Sequence, residues 1–250
     1  SYNPYGLITS STDSLGRTTT YTYDAFNLYP ASITNALNHQ THYTYNYALG
    51  QIKQATDPNN VIPENTYDGL GRKIKTEISD QNQSQNLITK QEITYTDTAI
   101  PTLIYTKEYF SSSVPPKEIY LYSDGFGRPI QTRVSAETTG YYNVSSIQYD
   151  SFGRVSKEYI PVEQTGGTYQ NTNQPDSHAT LYTYDALNRV IQSTTVLGIA
   201  TNTYNNWTTT STDYNNHPKT TYYNARQQIA RIDEKNNSQQ KQQQRSLIDI

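Results

Sequence analysis

Tyrosine alternates with threonine or asparagine in several short stretches of the chain. Examples are residues 21–23 (YTY), 43–47 (YTYNY) and 182–184 (YTY). A period of two residues predicts β-strands, because successive side chains of a strand point to opposite faces of its sheet. No helical period of useful length accompanies it. The pattern therefore predicts an all-β protein whose strands carry tyrosine on one face.

A second pattern marks the turns between these strands. An Asp or Asn stands at positions 13, 24, 35, 46, 57 and 68, a step of 11 residues, and a Gly or Asn usually follows three residues later. Asp and Asn favour the first position of a type I turn, and Gly or Asn adopts the left-handed conformation that closes a hairpin. Every second copy has a preceding Tyr, so the repeating unit is 22 residues, or two strands and two turns.

Hairpins repeated in this way predict a long antiparallel ribbon, since a single hairpin is marginal alone and neighbours support one another. Two polar stretches, Ser79–Leu87 and Glu163–Ser177, are expected to be loops. We expect residues 1–235 to form one β-sheet segment. Residues 236–250 begin with a low-complexity run and are expected to be a tail or a linker to further repeats.

Two further positions of the turn pattern carry expectations. A large apolar residue often precedes the Gly or Asn, and we expect it to fold beneath its own turn; these residues are Leu15, Phe26, Leu37, Leu70, Phe126, Phe152 and Leu187. An Arg often follows the turn. We expect that Arg to bond turn carbonyls or the Asp of a neighbouring turn.

Composition supports a strand-rich protein and excludes several classes. Only 33% of the residues are hydrophobic, but there are 25 Tyr, which suit a pleated sheet. The formal net charge of -3 argues against nucleic-acid binding, which usually needs a basic surface. No apolar run is long enough to span a membrane. Cys is absent, so disulfides and thiol chemistry are excluded, and the absence of Met, even at position 1, indicates an internal part of a longer protein.

Candidate chemistry is sparse, and no catalytic, cofactor-binding or metal-binding residue is predicted. The histidines His39, His42, His178 and His217 form no metal-binding motif and are interpreted as surface residues. Most prominent Asp residues stand at turn starts, where a structural role explains them. The tyrosine rows have two readings. They stack across strands for stability, or they also form an aromatic platform for sugars or an unfolded polypeptide.

The turns resemble a known repeat. Residues 67–72 (YDGLGR) and 149–154 (YDSFGR) match the YDxxGR signature of YD, or Rhs, repeats, and residues 122–132 resemble a segment of the B components of Tc toxin complexes. This resemblance implies that the ribbon coils into part of a hollow YD/Rhs shell. It also assigns a structural turn motif to Tyr23, Asp24, Tyr67, Asp68, Gly71, Arg72, Asp124, Gly127, Arg128, Tyr149, Asp150, Gly153, Arg154, Tyr184, Asp185 and Arg189.

The resemblance also implies a function. The chain is expected to be a non-enzymatic wall segment of a secreted or cell-surface bacterial toxin that encloses a cytotoxic polypeptide until delivery. Its partners would be that cargo and other YD-repeat segments of the same parent protein or toxin complex, with no nucleic acid and no direct membrane span. Two alternatives stay open: a wall-associated adhesin or carbohydrate-binding module, and a glycosidase or lyase. The C-terminal plug and self-cleavage motif of toxin-bearing members are absent, so autoproteolysis is not assigned.

Overall fold

The computed structural model describes residues 1–80, 84–171, 175–235 and 241–245. Strands dominate it, and every pairing with a determined register is antiparallel. The chain divides into two compact units, Ser1–Tyr120 and Leu121–Ile250. Because side chains alternate along each strand while the turns recur regularly, local hairpin formation builds most of both units.

Unit 1 is a ribbon of consecutive hairpins in which each strand from β1 to β9 pairs with the next. Its strands are β1 (Ser10–Thr12), β2 (Thr18–Tyr23), β3 (Pro30–Thr34), β4 (Gln40–Asn46), β5 (Gln51–Thr56), β6 (Val61–Tyr67), β7 (Lys73–Asp80), β8 (Ser84–Thr96) and β9 (Thr102–Glu108). Strand β10 (Lys117–Ser123) begins in unit 1 and ends in unit 2.

Unit 2 continues the hairpin pattern with one rearrangement. Its strands are β11 (Pro129–Ser135), β12 (Tyr141–Tyr149), β13 (Val155–Tyr159), β14 (Val162–Thr165), β15 (Ala179–Tyr184), β16 (Val190–Thr195), β17 (Gly198–Asn205), β18 (Thr208–Thr212), β19 (Pro218–Tyr223), β20 (Ile229–Lys235) and β21 (Lys241–Arg245). Strand β12 pairs with β14 through its first half and with β13 through its second half. The longer insertion between β13 and β15, which includes a 3₁₀ turn at Asp176–His178, accompanies this branching.

The predicted all-β antiparallel fold is confirmed, but the two expected loops are partly strand. Residues Ser79–Asp80 end β7 and Ser84–Leu87 begin β8, so the first stretch belongs to a longer hairpin; residues 81–83 lie outside the described residues. In the second stretch, Glu163–Thr165 belong to β14, and residues 172–174 are not described. Polar residues can extend a strand here because the ladder uses backbone groups and neither face needs an apolar side chain.

The expected boundary at residue 235 stays a prediction. Residues 236–240 and 246–250 lie outside the described part of the chain, whereas Lys241–Arg245 form β21 and pair with β20. Five hydrophobic side chains are buried among the described residues, and all of them lie in unit 2: Tyr122, Tyr142, Val144, Tyr159 and Ala179. The fold therefore depends on ladders and turns more than on a central apolar core.

Candidate functional site

The turns form the most regular site of the molecule, and the turn at Asp150 shows its geometry. The Asp150 Oδ1 atom accepts the backbone N–H groups of Phe152 and Arg154, both at 2.9 Å. The N–H of Gly153 donates to the Asp150 carbonyl at 3.0 Å, and Gly153 has a φ of 81°, which suits glycine. The carboxylate thereby satisfies donors that the tight turn leaves without strand partners. The same side-chain capping occurs at Asp13, Asp24, Asn35, Asp57, Asp68, Asp124, Asp185, Asp213 and Asn224.

The arginine after the turn closes a second contact with the same carboxylate. Arg154 Nε donates to Asp150 Oδ2 at 2.8 Å, and Arg17, Arg72, Arg128 and Arg189 make the same bond within their own turns. Two of these arginines also reach along the ribbon: Arg72 Nη1 donates to Asp97 at 2.6 Å, and Arg154 Nη1 donates to Asn188 at 3.0 Å. The primary partner is thus the turn's own Asp, and the expected contact with a neighbouring Asp occurs at Arg72.

A tyrosine from the following hairpin adds further contacts to the turn, and we call each such set of contacts a rung. The Tyr184 hydroxyl donates to the Val155 carbonyl at 2.7 Å, and the Arg154 guanidinium carbon lies 4.6 Å from the centre of its ring. Tyr149 makes the same pair of contacts with Pro129 and Arg128, at 2.8 Å and 4.3 Å. Such a cation–π contact contributes about 0.5–1 kcal/mol at an exposed position. Where these contacts occur, a turn is fastened to the next turn along the same edge.

We call these linked contacts the turn ladder: a capping Asp, its Arg, and the Tyr of the following hairpin on that edge. Further rungs join Arg72 to Tyr95 and Arg189 to Tyr204, with ring distances of 4.1 Å and 4.3 Å. Tyr23 and Tyr67 bond to the carbonyls of Ile8 and Ile52 where the preceding turn has no Arg. The sequence repeat locates the Tyr, Asp, Gly and Arg positions, but the hydroxyl-to-carbonyl bond and the stacking depend on strand pairing that the repeat does not specify.

The Asp24 turn lacks an arginine, since Leu28 occupies that position. Its free carboxylate oxygen instead accepts a hydrogen bond from the Tyr47 hydroxyl at 2.9 Å, and this bond raises the pKa of Tyr47. The Tyr47 ring also meets Phe26 edge-on, with ring centres 5.5 Å apart. A tyrosine of the next same-edge turn thus takes over the role of the missing arginine.

The expectation that the apolar turn residue folds beneath its own turn is wrong. Leu15, Phe126 and Leu187 are 76%, 87% and 71% exposed, and the other four residues of this set are also exposed. Their backbone N–H groups are held by the Asp or Asn Oδ1 atom at the start of the turn. This bond fixes the third turn residue with its side chain directed away from the sheet.

A second polar cluster surrounds Arg133 on β11, and no sequence pattern predicts it. Arg133 is fully buried, and its guanidinium donates to Gln131 Oε1 at 2.9 Å, to the Gly166 carbonyl at 2.7 Å and to Gln164 Oε1 at 3.1 Å. Burial lowers its pKa. Within the described residues no carboxylate lies within ion-pair distance of it. Nearby, Gln131 Nε2 donates to the Gln170 carbonyl at 2.8 Å, so the segment 164–170 is held against β11.

The lowered pKa values of the turn carboxylates should make the stability of the fold depend on pH. At Asp185 the backbone N–H of Arg189 is the largest cause of a lowered pKa; at Asp150, burial raises the pKa, but hydrogen bonds from Arg154 and Phe152 outweigh it. The pKa values of Asp13, Asp24, Asp68, Asp124 and Asp213 are also lowered from 3.8.

Because the folded-state pKa lies below the unfolded value, the stabilisation is complete above about pH 4 and is lost as pH falls through the lowered values. We expect the urea midpoint to be constant between about pH 5 and 7 and to fall below about pH 4. Replacing Asp68, Asp124, Asp150 and Asp185 by Asn should flatten that fall. An equally steep acid transition in this variant would contradict the assignment.

The described residues offer little for catalysis. No group of three or more His, Cys, Asp or Glu that could hold a metal occurs among them. In the part of the chain that the structure covers, no helix has the length and apolarity to cross a membrane. The turn carboxylates already accept several hydrogen bonds each. What the ladder can do is hold many hairpins in one register.

Comparison with known proteins identifies the repeat. The family described as Domain of unknown function (DUF6443) matches residues 115–247, and the RHS Repeat family matches residues 2–29. The chain belongs to the DUF6443 family and is a YD/Rhs-repeat protein. No curated protein sequence matches this YD/Rhs-repeat chain.

Solved structures share the fold of the YD/Rhs-repeat chain. The crystal structure of TcdB2-TccC3-Cdc42, from Tc toxin chains, superposes with a TM-score of 0.74 at 16% identity over 90% of this chain. That of TcdB2-TccC3-TEV gives a TM-score of 0.73 at the same identity and coverage. The chain spans 17% of the length of either neighbour. At this identity the likeness shows the YD-shell fold and no more.

Proposed function

We propose that this chain is a segment of the wall of a YD/Rhs shell that encloses a cytotoxic polypeptide and isolates it until delivery. The observation that carries the proposal is the turn ladder, which fastens hairpin to hairpin within a fold shared with Tc toxin chains over 90% of the sequence. A wall needs continuity and stiffness along its length, and the ladder supplies both.

The surface chemistry supports an enclosing role. Few side chains are buried in the described residues, so both faces of the ribbon present mainly Thr, Ser, Asn, Gln and Tyr. The net charge is only -3 over 250 residues. Such faces hold an unfolded chain by many weak contacts without a strong field that would select one cargo sequence. No single residue carries this function, so we assign no catalytic group.

The partners follow from this role. Closing a shell would require other YD-repeat segments of the same parent protein or toxin complex, and the enclosed polypeptide would be the cargo. A secreted or cell-surface location suits such a toxin. The sixteen residues of the predicted turn motif then act as structural positions that keep the wall in register.

Cryo-electron imaging of the intact particle that contains this chain tests the proposal. We expect a closed hollow shell with additional density inside it, and a cargo that resists protease until the shell is opened. An open ribbon or rod with nothing enclosed would overturn encapsulation and favour the adhesin alternative. Removing three consecutive 22-residue units should shrink the enclosed volume and expose cargo to protease; unchanged protection would count against a wall role.

A further inference from the structure

One hairpin of unit 2 breaks the turn pattern. The paired residues Tyr184 and Val190 are separated by a five-residue turn, as are Tyr223 and Ile229, but the paired residues Asn205 and Thr208 are separated only by Asn206 and Trp207. These three turns follow one another along the same edge, at a spacing of about 10 Å, or two strands. The middle turn thus has two residues where each of its neighbours has five.

The residues around this short turn line a half-open cavity of about 430 Å³, which we call the notch. It is lined by Leu187, Arg189, Tyr204, Trp207, Tyr223 and Gln227, together with neighbouring Asn and Thr residues. Its volume lies within the usual range for small-molecule sites. Trp207 is the only tryptophan of the chain, and it is 54% exposed.

Several polar groups of the notch make no hydrogen bond with the described residues. Other tyrosines before turns donate their hydroxyl to a carbonyl of the preceding same-edge turn, as Tyr204 does to Val190 at 3.0 Å. The Tyr223 hydroxyl makes no such bond with the described residues. The side-chain amides of Asn206 and Gln227 likewise lack a partner among the described residues. The notch thus combines exposed aromatic surface with available donors and acceptors.

The charged side chains of the lining narrow the chemical class of ligand that the notch can hold. The lining includes no Asp, Glu or Lys, and the one cation, Arg189, is bonded to Asp185 at 2.7 Å and stacked on Tyr204. A phosphate or carboxylate ligand would find no free cation. A neutral sugar ring suits this surface, since its C–H face packs on an indole while its hydroxyls exchange hydrogen bonds with amides and a phenol.

We propose that the notch binds a neutral oligosaccharide, with Trp207 as the stacking platform and Tyr223, Asn206 and Gln227 as hydrogen-bonding groups. This site is independent of the enclosing role, because it lies at a turn edge and needs no enclosed polypeptide. An isolated, shallow site of this kind gives weak binding on its own.

The single tryptophan provides a direct readout. The full chain is titrated with cellohexaose, maltohexaose and chitohexaose while Trp207 emission and its quenching by iodide are followed. We expect a saturable emission shift and reduced quenching with at least one of these sugars. If none produces a saturable change, or if iodide cannot reach Trp207 in the free protein, the proposal is overturned.

Variants test where the sugar binds. Their affinities are measured by calorimetry, because replacing Trp207 removes the fluorophore. Trp207→Ala should weaken binding at least tenfold, and Tyr223→Phe, which keeps the ring, should weaken it about two- to tenfold. Phe126→Ala is the matched control, since Phe126 is another exposed aromatic at a turn, and it should bind as the parent does. Full affinity in Trp207→Ala, or equal loss in Phe126→Ala, would overturn the site.

Discussion

Replacing Arg133 by Ala is expected to lower the free energy of unfolding by about 3 kcal/mol or more. The substitution leaves the Gly166 carbonyl and Gln164 Oε1 without this donor, removes one of the two donors to Gln131 Oε1, and opens a cavity where a fully buried side chain stood. A buried acceptor that loses its partner costs about 1–3 kcal/mol, and the cost is smaller at Gly166, which solvent reaches. The segment 164–170 should then detach from β11.

Urea unfolding followed by circular dichroism measures the loss, and hydrogen exchange at the Gln170 amide reports the detached segment. That amide donates to Gln131 Oε1 in the intact cluster. Arg226→Ala is the control, because Arg226 is an exposed turn residue of the same unit and should change stability by no more than about 0.5 kcal/mol. Equal stability of the two variants would show that the cluster does not hold the segment.

The second large effect is expected at Gly153. Its left-handed backbone disfavours any side chain, and an added Cβ would lie 2.9 Å from Arg128 Nη1. Nη1 is the end of a flexible side chain, but its displacement disturbs the bond from Arg128 to Asp124 and the stacking of Arg128 on Tyr149. We expect Gly153→Ala to cost about 2–3 kcal/mol, more than the roughly 1–2 kcal/mol of the backbone alone.

Gly127 supplies the matched comparison, since it has a φ of 77° in the same kind of turn and no atom within 4 Å of an added Cβ. Gly127→Ala should therefore show only the backbone cost in the same urea experiment. The difference between the two variants measures the strength of the rung between Arg128 and Tyr149. Indistinguishable losses would mean that this rung contributes nothing to stability.

The sequence predicts the parts of this fold that depend on neighbours in the chain. Strand periodicity and turn chemistry are local, so residues such as Asp68 and Gly71 could be placed at turns from spacing alone. The outward direction of Phe126 was missed because it depends on the bond from its N–H to Asp124 Oδ1, which reverses the usual preference of an apolar side chain for burial.

Contacts between residues far apart in the sequence cannot be predicted from local sequence patterns. Arg133 and Gly166 come together because β12 pairs with β14 through one half and with β13 through the other. The sequence repeat does not predict this division. The notch has the same origin, since its lining comes from three turns that only strand pairing brings side by side. The sequence of successive turns predicts the repeating unit. Departures from that unit become visible only when the strands are paired.

The rung that joins each turn to the next has a consequence for how such proteins change over generations. A hairpin that gains its Arg and Tyr brings its own fastening with it, so whole 22-residue units can be duplicated or lost without redesigning distant positions. Asp24 shows that a rung can also survive the loss of its Arg when Tyr47 supplies the hydrogen bond. The number of 22-residue units can therefore change more freely than the contacts within any single turn.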